Sequence, residues 1–244
     1  MRLIQITDCH LHADPAARCR TGLPHRQLER VVAAAAGLRP DMVLLTGDIS
    51  EDRTAASYAE AERLLAPLDC PWFWLPGNHD DPGLMADCRP FLDAVDLDAR
   101  RLLLLDTQRI GQEAGELGEA RLAAFAARLA EDDRPTLVLM HHPPVAVGSA
   151  WMDALGLADA AAFWDVVADH AHVEAVLCGH IHQAFAGRGP EAAGGVPVYG
   201  CPSTSDQFLP GAEDFAVDEA SRPGFRVVDL SRGAFATWVE RVEL

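Results

Sequence analysis

Short apolar runs recur along the chain, and most of them end at a glycine, an aspartate or a histidine. Runs of this kind, rich in Val, Leu, Ile and aromatic residues, are typical of buried β-strands. We predict strands at Leu3–Thr7, Met42–Thr46, Trp72–Leu75, Leu102–Leu105, Thr136–Met140, Val173–Cys178, Val196–Tyr199, Phe225–Leu230 and Ala236–Val242.

Segments with helical periodicity lie between the earlier runs. We predict helices at about Arg26–Leu38, Ala55–Leu68, Gly118–Ala130 and Ala158–His170. In the first of these, Leu28, Val31 and Ala35 repeat at helical spacing, and Gly37 marks the end. Thr54 is a suitable N-cap for the second helix.

Strands and helices alternate over the first two thirds of the chain, which predicts parallel-sheet units. The last third is rich in strands and poor in helix, which indicates a second sheet, with antiparallel pairing as an option. Gly187–Gly195 is typical of a loop, and Cys201–Ala216 of a long irregular connection. We expect residues 1–244 to form a single layered α/β domain.

The charge of the chain restricts the class of partner. Its 20 basic and 37 acidic residues give a formal net charge of −17. Nucleic-acid polymers and anionic membranes favour basic surfaces, so we expect neither as a partner. A small anionic substrate stays compatible with this charge, because bound metal ions reverse the local field.

The N-terminal residues and the cysteines point to a cytoplasmic protein. MRLIQITD enters an alternating apolar pattern at once, without the charged and apolar regions of a signal peptide. The six cysteines are scattered without metal-binding spacing, and we expect free thiols.

Five polar motifs directly follow predicted strands. They are TDCHLH with Asp8 and His10, TGDIS with Asp48, PGNHDD with Asn78, His79 and Asp80, LMHHPP with His141 and His142, and LCGHIHQ with His180 and His182. The carboxyl ends of strands in open α/β sheets form the crevice where ligands bind. Motifs that are far apart in sequence can therefore meet at one place.

Carboxylate, amide and imidazole donors suit zinc, iron, manganese or nickel. Each motif alone is weak, because Gly-Asp and Gly-Asn are ordinary turn sequences and HHPP can simply end a strand. These motifs offer at least seven candidate ligands, more than one catalytic ion with an open position needs but enough for two ions that share a carboxylate. Such a pair favours in-line displacement at phosphorus.

The joint pattern DxH, GD, GNHD, H and GHxH resembles that of the calcineurin-like metallophosphoesterases. The chain is most similar to the class III cyclic-nucleotide phosphodiesterases, the bacterial 3′,5′-cyclic AMP hydrolases. HHPPVAVGSAWMD, CPSTSDQF and PGFRVVDL carry this closer resemblance, whereas Asp81–Glu116 matches little beyond its ending GEL.

The resemblance implies a four-layer α/β/β/α sandwich of two mixed sheets flanked by helices. It implies that Asp8, His10 and His182 hold one ion. It assigns Asn78, His141 and His180 to the other ion, with Asp48 as the bridge. In the family, the residue at the position of His79 lies over the phosphate and either donates a proton to the leaving oxygen or steadies the transition state. We expect Asp80 to orient the His79 ring.

The resemblance also implies the reaction and the metals. A hydroxide that bridges the ions attacks phosphorus, and 3′,5′-cyclic AMP becomes 5′-AMP. Iron with manganese is the expected pair, with zinc, nickel or cobalt as alternatives. The ligand set is complete, which disfavours a non-catalytic scaffold of the same fold.

Substrate contacts are expected from Asn78, His79 and the loops Ala146–Leu157 and Pro202–Pro210. We expect Trp151 or Phe208 to stack on a nucleobase and Gln207 to read its edge.

Several alternatives stay open. The substrate can instead be a glycerophosphodiester or a 2′,3′-cyclic nucleotide. A phosphomonoester is disfavoured, because no arginine stands beside the motifs in the sequence. Both a monomer and a homodimer fit the sequence, and the roles of His12 and His142 are undetermined at this level.

Overall fold

The computed structural model describes residues 1–244, apart from the side chain of Arg232. The strands are β1 Arg2–Ile6, β2 Met42–Thr46, β3 Trp72–Leu75, β4 Ala94–Asp96, β5 Arg101–Leu105, β6 Thr136–Met140, β7 Val173–Cys178, β8 Phe185–Arg188, β9 Pro197–Gly200, β10 Gly224–Asp229 and β11 Ala236–Arg241. The helices are α1 Pro24–Gly37, α2 Ala55–Leu65, α3 Pro82–Cys88, α4 Gly118–Ala130, α5 Ala150–Asp153 and α6 Ala160–Ala168.

The strands form two mixed sheets. The first has the order β11-β10-β1-β2-β3, with β1, β2 and β3 parallel and β10 and β11 antiparallel to their neighbours. The second has the order β4-β5-β6-β7-β9-β8, with a parallel centre and antiparallel edges.

Three apolar clusters hold the layers together. One joins the first sheet to α1, α2 and α3, and another joins the second sheet to α4 and α6. The third lies between the sheets, where Leu44 and Leu177 are each at most 1% exposed. The layering is therefore helix, sheet, sheet and helix, and the expected four-layer sandwich of two mixed sheets is confirmed.

Most predicted elements coincide with the observed ones within one to three residues. Thr54 caps α2 as predicted, because its side chain accepts a hydrogen bond from the Ser57 amide. β4, β8, α3 and α5 were missed; each is short, and the residues of β4 and β8 are all exposed or half-buried, which leaves no apolar pattern to detect.

The second sheet predicted from the last third of the chain exists, but its composition differs from the prediction. The strands of this region do not form a sheet of their own: β8 and β9 complete the second sheet, whereas β10 and β11 complete the first. The segment expected to begin a loop at Gly187 belongs to β8, which pairs with β9. Because both sheets take strands from this region, we propose that residues 1–244 form one domain.

Five residues that follow β1, β2 and β7 have unusual backbone conformations. Asp8, His10, Asp48, His180 and His182 all have positive φ values, between 48° and 69°. This left-handed region costs a non-glycine residue about 1–2 kcal/mol. Strain of this kind clusters at functional sites, where the surrounding structure enforces it.

The described residues contain no helix that is both long and apolar enough to cross a membrane.

Candidate metal centre

One group of candidate ligands comes from the ends of β1 and β7. The Nε2 atom of His182 lies 3.3 Å from an Asp8 carboxylate oxygen and 3.2 Å from Nε2 of His10. Ligand atoms of these three residues all lie within 4.8 Å of one another. A carboxylate and two imidazole nitrogens thus face a single point.

A second group lies beside the first. Nε2 of His141 is 3.3 Å from an oxygen of Asp48 and 3.1 Å from the amide oxygen of Asn78. The same Asp48 oxygen is 3.9 Å from Nε2 of His10, in the first group. Asp48 therefore stands between the two groups, where a bridging carboxylate is needed.

His180 supplies the test of whether a cation fits. Its side chain is buried, and its Nε2 atom has no hydrogen-bond partner among the described residues. Burial lowers the pKa of this imidazole well below its usual value, and the neighbouring His142 and His141 lower it further. A buried, neutral imidazole with an unpartnered nitrogen is costly by itself and is the form that binds a metal ion.

The outer nitrogens of three other rings are all engaged. Nδ1 of His141 hydrogen-bonds to the Thr46 carbonyl, and Nδ1 of His182 to the Asp206 carbonyl, each at 2.7 Å. Nδ1 of His10 lies 2.7 Å from the Glu51 carboxylate. Partners of this type orient an imidazole, so that its other nitrogen faces the metal ion. The donor set and its orientation fit a pair of cations.

His142 is engaged elsewhere. Its Nδ1 lies 2.8 Å from the Thr107 hydroxyl, and its Nε2 lies 3.0 Å from the Glu113 carbonyl. Burial and the neighbouring His141 lower its pKa to about 3. With both nitrogens occupied, His142 has no lone pair left for an ion, which supports His141 as the ligand of this doublet.

Asp80 does not orient His79, in contrast to the expectation from sequence. Its carboxylate accepts hydrogen bonds from the amides of Ile49, Ser50 and Gly77 at 2.9–3.2 Å and from the Tyr58 hydroxyl. Asp80 therefore joins the loop after β2 to the loop after β3. Its side chain points away from the imidazole because four backbone and hydroxyl donors compete for it.

Glu51 takes the place expected for Asp80, and sequence reasoning missed it. Its carboxylate lies 3.1 Å from Nδ1 of His79 and also contacts His10. Burial raises the pKa of Glu51, but the hydrogen bonds to His10 and His79 outweigh burial and hold it well below its usual range. Glu51 follows Asp48 by three residues, so a carboxylate in the same loop was the available signal.

These groups line the floor of a cavity of about 710 Å³. Asn78, His79, His12, Trp151 and Phe208 all line it as well. Gln207 does not line the cavity, so the prediction that it contacts a nucleobase was wrong.

The side chain of Gln207 is only 2% exposed. Its Nε2 donates to the carbonyls of Ser203 and Ser205, and its Oε1 accepts from Arg241. A side-chain amide with all of these partners is a structural link, without a free edge for a ligand.

Two arginines also reach the cavity wall. Arg18 and Arg20 come from the loop between β1 and α1 and line the same space. The sequence argument against phosphomonoesters considered only arginines beside the motifs and so did not include these two. They stand ten and twelve residues after Asp8, too far in sequence to be associated with its motif.

Comparison with known proteins gives consistent matches. The family described as calcineurin-like phosphoesterase matches residues 1–184. The 3′,5′-cyclic adenosine monophosphate phosphodiesterase CpdA of Vibrio vulnificus is 38% identical, over 99% of this chain and 90% of that protein. The protein of the same name from Pseudomonas aeruginosa is 36% identical over the same shares.

A solved structure shows the same fold. The dimetal phosphatase from Danio rerio superposes with a TM-score of 0.69 over 99% of both chains, at 16% sequence identity.

Proposed function

Because the chain belongs to the calcineurin-like phosphoesterase family, we propose that it hydrolyses 3′,5′-cyclic AMP to 5′-AMP at a two-metal centre. The observation that carries this proposal is the convergence of seven donor side chains from five strand ends. Five of the seven line one cavity, and the other two, Asp8 and His141, lie directly beside them. Relatives named as cyclic AMP phosphodiesterases align with nearly the whole chain, which supports the choice of substrate.

The family implies two metal ions. We propose Asp8, His10 and His182 as ligands of one ion, and Asn78, His141 and His180 as ligands of the other, with Asp48 shared. Bound divalent ions lower the pKa of water and offset charge on phosphoryl oxygens. Imidazole and oxygen donors without thiolate suit iron, manganese, zinc, nickel or cobalt. Among these, the resemblance to the family makes iron with manganese the pair that we propose.

The protein groups around this centre supply positioning and proton transfer. His79 lies on the cavity wall with its Nδ1 held by Glu51, which leaves Nε2 as the atom that faces a bound ester. We assign to this Nε2 the hydrogen bond to the departing 3′-oxygen and the transfer of a proton to it. The side-chain oxygen of Asn78 is within reach of His141. The side-chain nitrogen of Asn78 is therefore left to donate a hydrogen bond to the phosphate.

The cavity also bears on the size of the substrate. Its volume of about 710 Å³ lies in the range of small-molecule sites. Together with the net charge of −17, this supports a small cyclic nucleotide in preference to a nucleic-acid polymer or a membrane. We propose that the protein acts in the cytoplasm, as a monomer or a homodimer.

A substrate panel tests the proposal. After reconstitution with Mn²⁺, the protein is assayed with 3′,5′-cyclic AMP, 3′,5′-cyclic GMP, 2′,3′-cyclic AMP, a glycerophosphodiester and a phosphomonoester, and products are separated by chromatography. We expect 5′-AMP from 3′,5′-cyclic AMP with the highest kcat/KM, and loss of this activity in Asp48→Asn.

Each other outcome has a defined meaning. Higher kcat/KM for another diester would replace the substrate while keeping the reaction class. A protein that binds two ions and hydrolyses none of these esters would be a scaffold, and the proposed function would be wrong.

A further inference from the structure

The segment Ser203–Phe208 holds His182 from two sides. The Asp206 carbonyl accepts a hydrogen bond from Nδ1 of His182 at 2.7 Å. The Phe208 ring stacks flat on the imidazole, with a centroid distance of 3.9 Å and an interplanar angle of 7°. The hydrogen bond sets the rotation of the imidazole in its plane, and the stacked ring sets the plane itself.

The same segment holds the backbone of Asp8. The hydroxyls of Ser203 and Ser205 donate to the Asp8 carbonyl at 2.7 and 3.2 Å. The Thr204 amide donates to the Thr7 carbonyl at 3.2 Å. Two of the three proposed ligands of one ion thus depend on these few residues.

The segment is itself anchored through the side chains of Asp206 and Gln207. Gln207 folds back onto the carbonyls of Ser203 and Ser205, and its amide oxygen accepts from Arg241 at 2.6 Å. The Asp206 carboxylate accepts from the amide of Arg20 and from the amide and hydroxyl of Thr21, at 2.6–3.1 Å. These bonds keep Asp206 and Phe208 in place against the imidazole.

The ligands of the other ion have different supports. Nδ1 of His141 hydrogen-bonds to the Thr46 carbonyl at the end of β2. The carbonyl of Asn78 accepts from Arg53 at 3.0 Å. The two halves are linked where the His180 amide donates to the Asp8 carboxylate at 3.1 Å, but the side-chain supports of His141 and Asn78 lie outside Ser203–Phe208.

We infer that Asp206 and Phe208 are positioning residues for the ion held by Asp8, His10 and His182, and that they control the affinity of this ion selectively. The inference deepens the proposed function and rests on its assignment of His182 as a ligand. It also gives Phe208 a role other than stacking on a nucleobase, because one face of its ring is already covered by His182.

Titration of the purified, chelator-stripped protein with Mn²⁺ in a calorimeter tests this inference. The wild type is expected to show two bound ions per chain. Phe208→Leu keeps an apolar side chain but removes the stack, and we expect one ion to bind about 10–100-fold more weakly while the other is unchanged. Asp206→Ala, which releases the loop that carries the carbonyl, is expected to act on the same ion. Phe208→Tyr, which keeps the ring, is expected to bind like the wild type.

Phe215→Leu is the matched control. Phe215 belongs to the same aromatic cluster, with its ring centroid 5.3 Å from that of Phe208 and 5.2 Å from that of Trp151. The Arg20 guanidinium lies over the Phe215 ring. We expect unchanged Mn²⁺ affinity, with circular dichroism confirming the fold of each variant. The inference would be overturned if Phe208→Leu and Asp206→Ala bound both ions as tightly as the wild type does. It would also be overturned if Phe215→Leu weakened Mn²⁺ binding as much as Phe208→Leu does.

His182→Ala separates this result from a failure of the proposed function. If His182→Ala loses one ion and the segment variants lose none, the inference alone is wrong. If His182→Ala still binds two ions as tightly as the wild type, the ligand assignment itself fails.

Discussion

The imidazole groups of the centre act through the atoms that hold them. Glu51 is the clearest example, because a single carboxylate contacts Nδ1 of both His10 and His79. One of these rings is a proposed ligand and the other is the proposed proton donor. A change at Glu51 is therefore expected to affect metal geometry and proton transfer together.

We predict that Glu51→Gln lowers kcat for cyclic AMP by about 10–100-fold, the usual effect of removing a carboxylate behind a ligand histidine. The variant keeps the size of the side chain but loses the charge that favours the imidazolium form of His79. Steady-state kinetics with saturating Mn²⁺ measures the effect.

Glu60→Gln serves as the control, because the Glu60 carboxylate contacts Arg63 and His25 and does not line the cavity. A kcat of Glu51→Gln equal to that of Glu60→Gln would show that Glu51 has no part in the reaction.

At the scale of elements, the strand ends explain why the ligands need tertiary support. Five proposed ligands adopt the left-handed backbone region as the chain leaves β1, β2 and β7. Close approach enforces these turns: a Cβ atom at Gly77 would collide with the Asp48 carboxylate, and Gly77 therefore allows the loops after β2 and β3 to touch. The strained backbone at these residues lowers the stability of the folded protein and places the ligand side chains.

This strain predicts an unusual order of stability at position 182. Both His182→Gly and His182→Ala remove the imidazole, but only glycine is relaxed at the φ of 51° observed there. We expect the glycine variant to be more stable by about 1 kcal/mol in the presence of a chelator. Urea denaturation followed by circular dichroism measures this difference.

The same pair of substitutions at Glu60, inside α2, is expected to give the reverse order, with alanine more stable by about 1 kcal/mol. If alanine were also the more stable residue at position 182, the left-handed backbone there would not be a source of strain.

At the scale of the whole molecule, the centre joins the two sheets. Its ligands come from β1, β2 and β3 of the first sheet and from β6 and β7 of the second. Below them, Gln5 of β1 donates to the Cys178 carbonyl of β7 across the interface. Bound ions would therefore stabilise the contact between the sheets as well as the loops.

We predict that removal of metal lowers the melting temperature of the whole protein. A ligand that binds only the folded state adds about 2.7 kcal/mol per site at ~100 times its Kd. For a chain of this size, that corresponds to about 5–10 °C per site. Calorimetry with EDTA, and then with excess Mn²⁺, measures the loss and its recovery.

Asp48→Asn provides the comparison, since it weakens both proposed sites at once and should show a smaller response to EDTA. A wild-type melting temperature that does not change with chelator or Mn²⁺ would contradict a stabilising metal centre.

The sequence by itself determined the central strands, the longer helices and the positions that converge. Strands such as β2 and β6 are buried on both faces, so each appears as a nearly continuous apolar run, and the polar residue that follows it is conspicuous. The ligand motifs lie directly at the carboxyl ends of these strands. The direction of the strands therefore made it possible to predict where the ligands converge.

Only the tertiary structure decided what holds these residues in place. Glu51, and not Asp80, contacts the imidazole of His79. The side chain of Gln207 is buried in the protein, and Arg18 and Arg20 line the cavity. The pairing of the last four strands was likewise undetermined. Each of these outcomes depends on competition among donors and acceptors from distant segments, and such competition leaves no periodic signal in the local sequence.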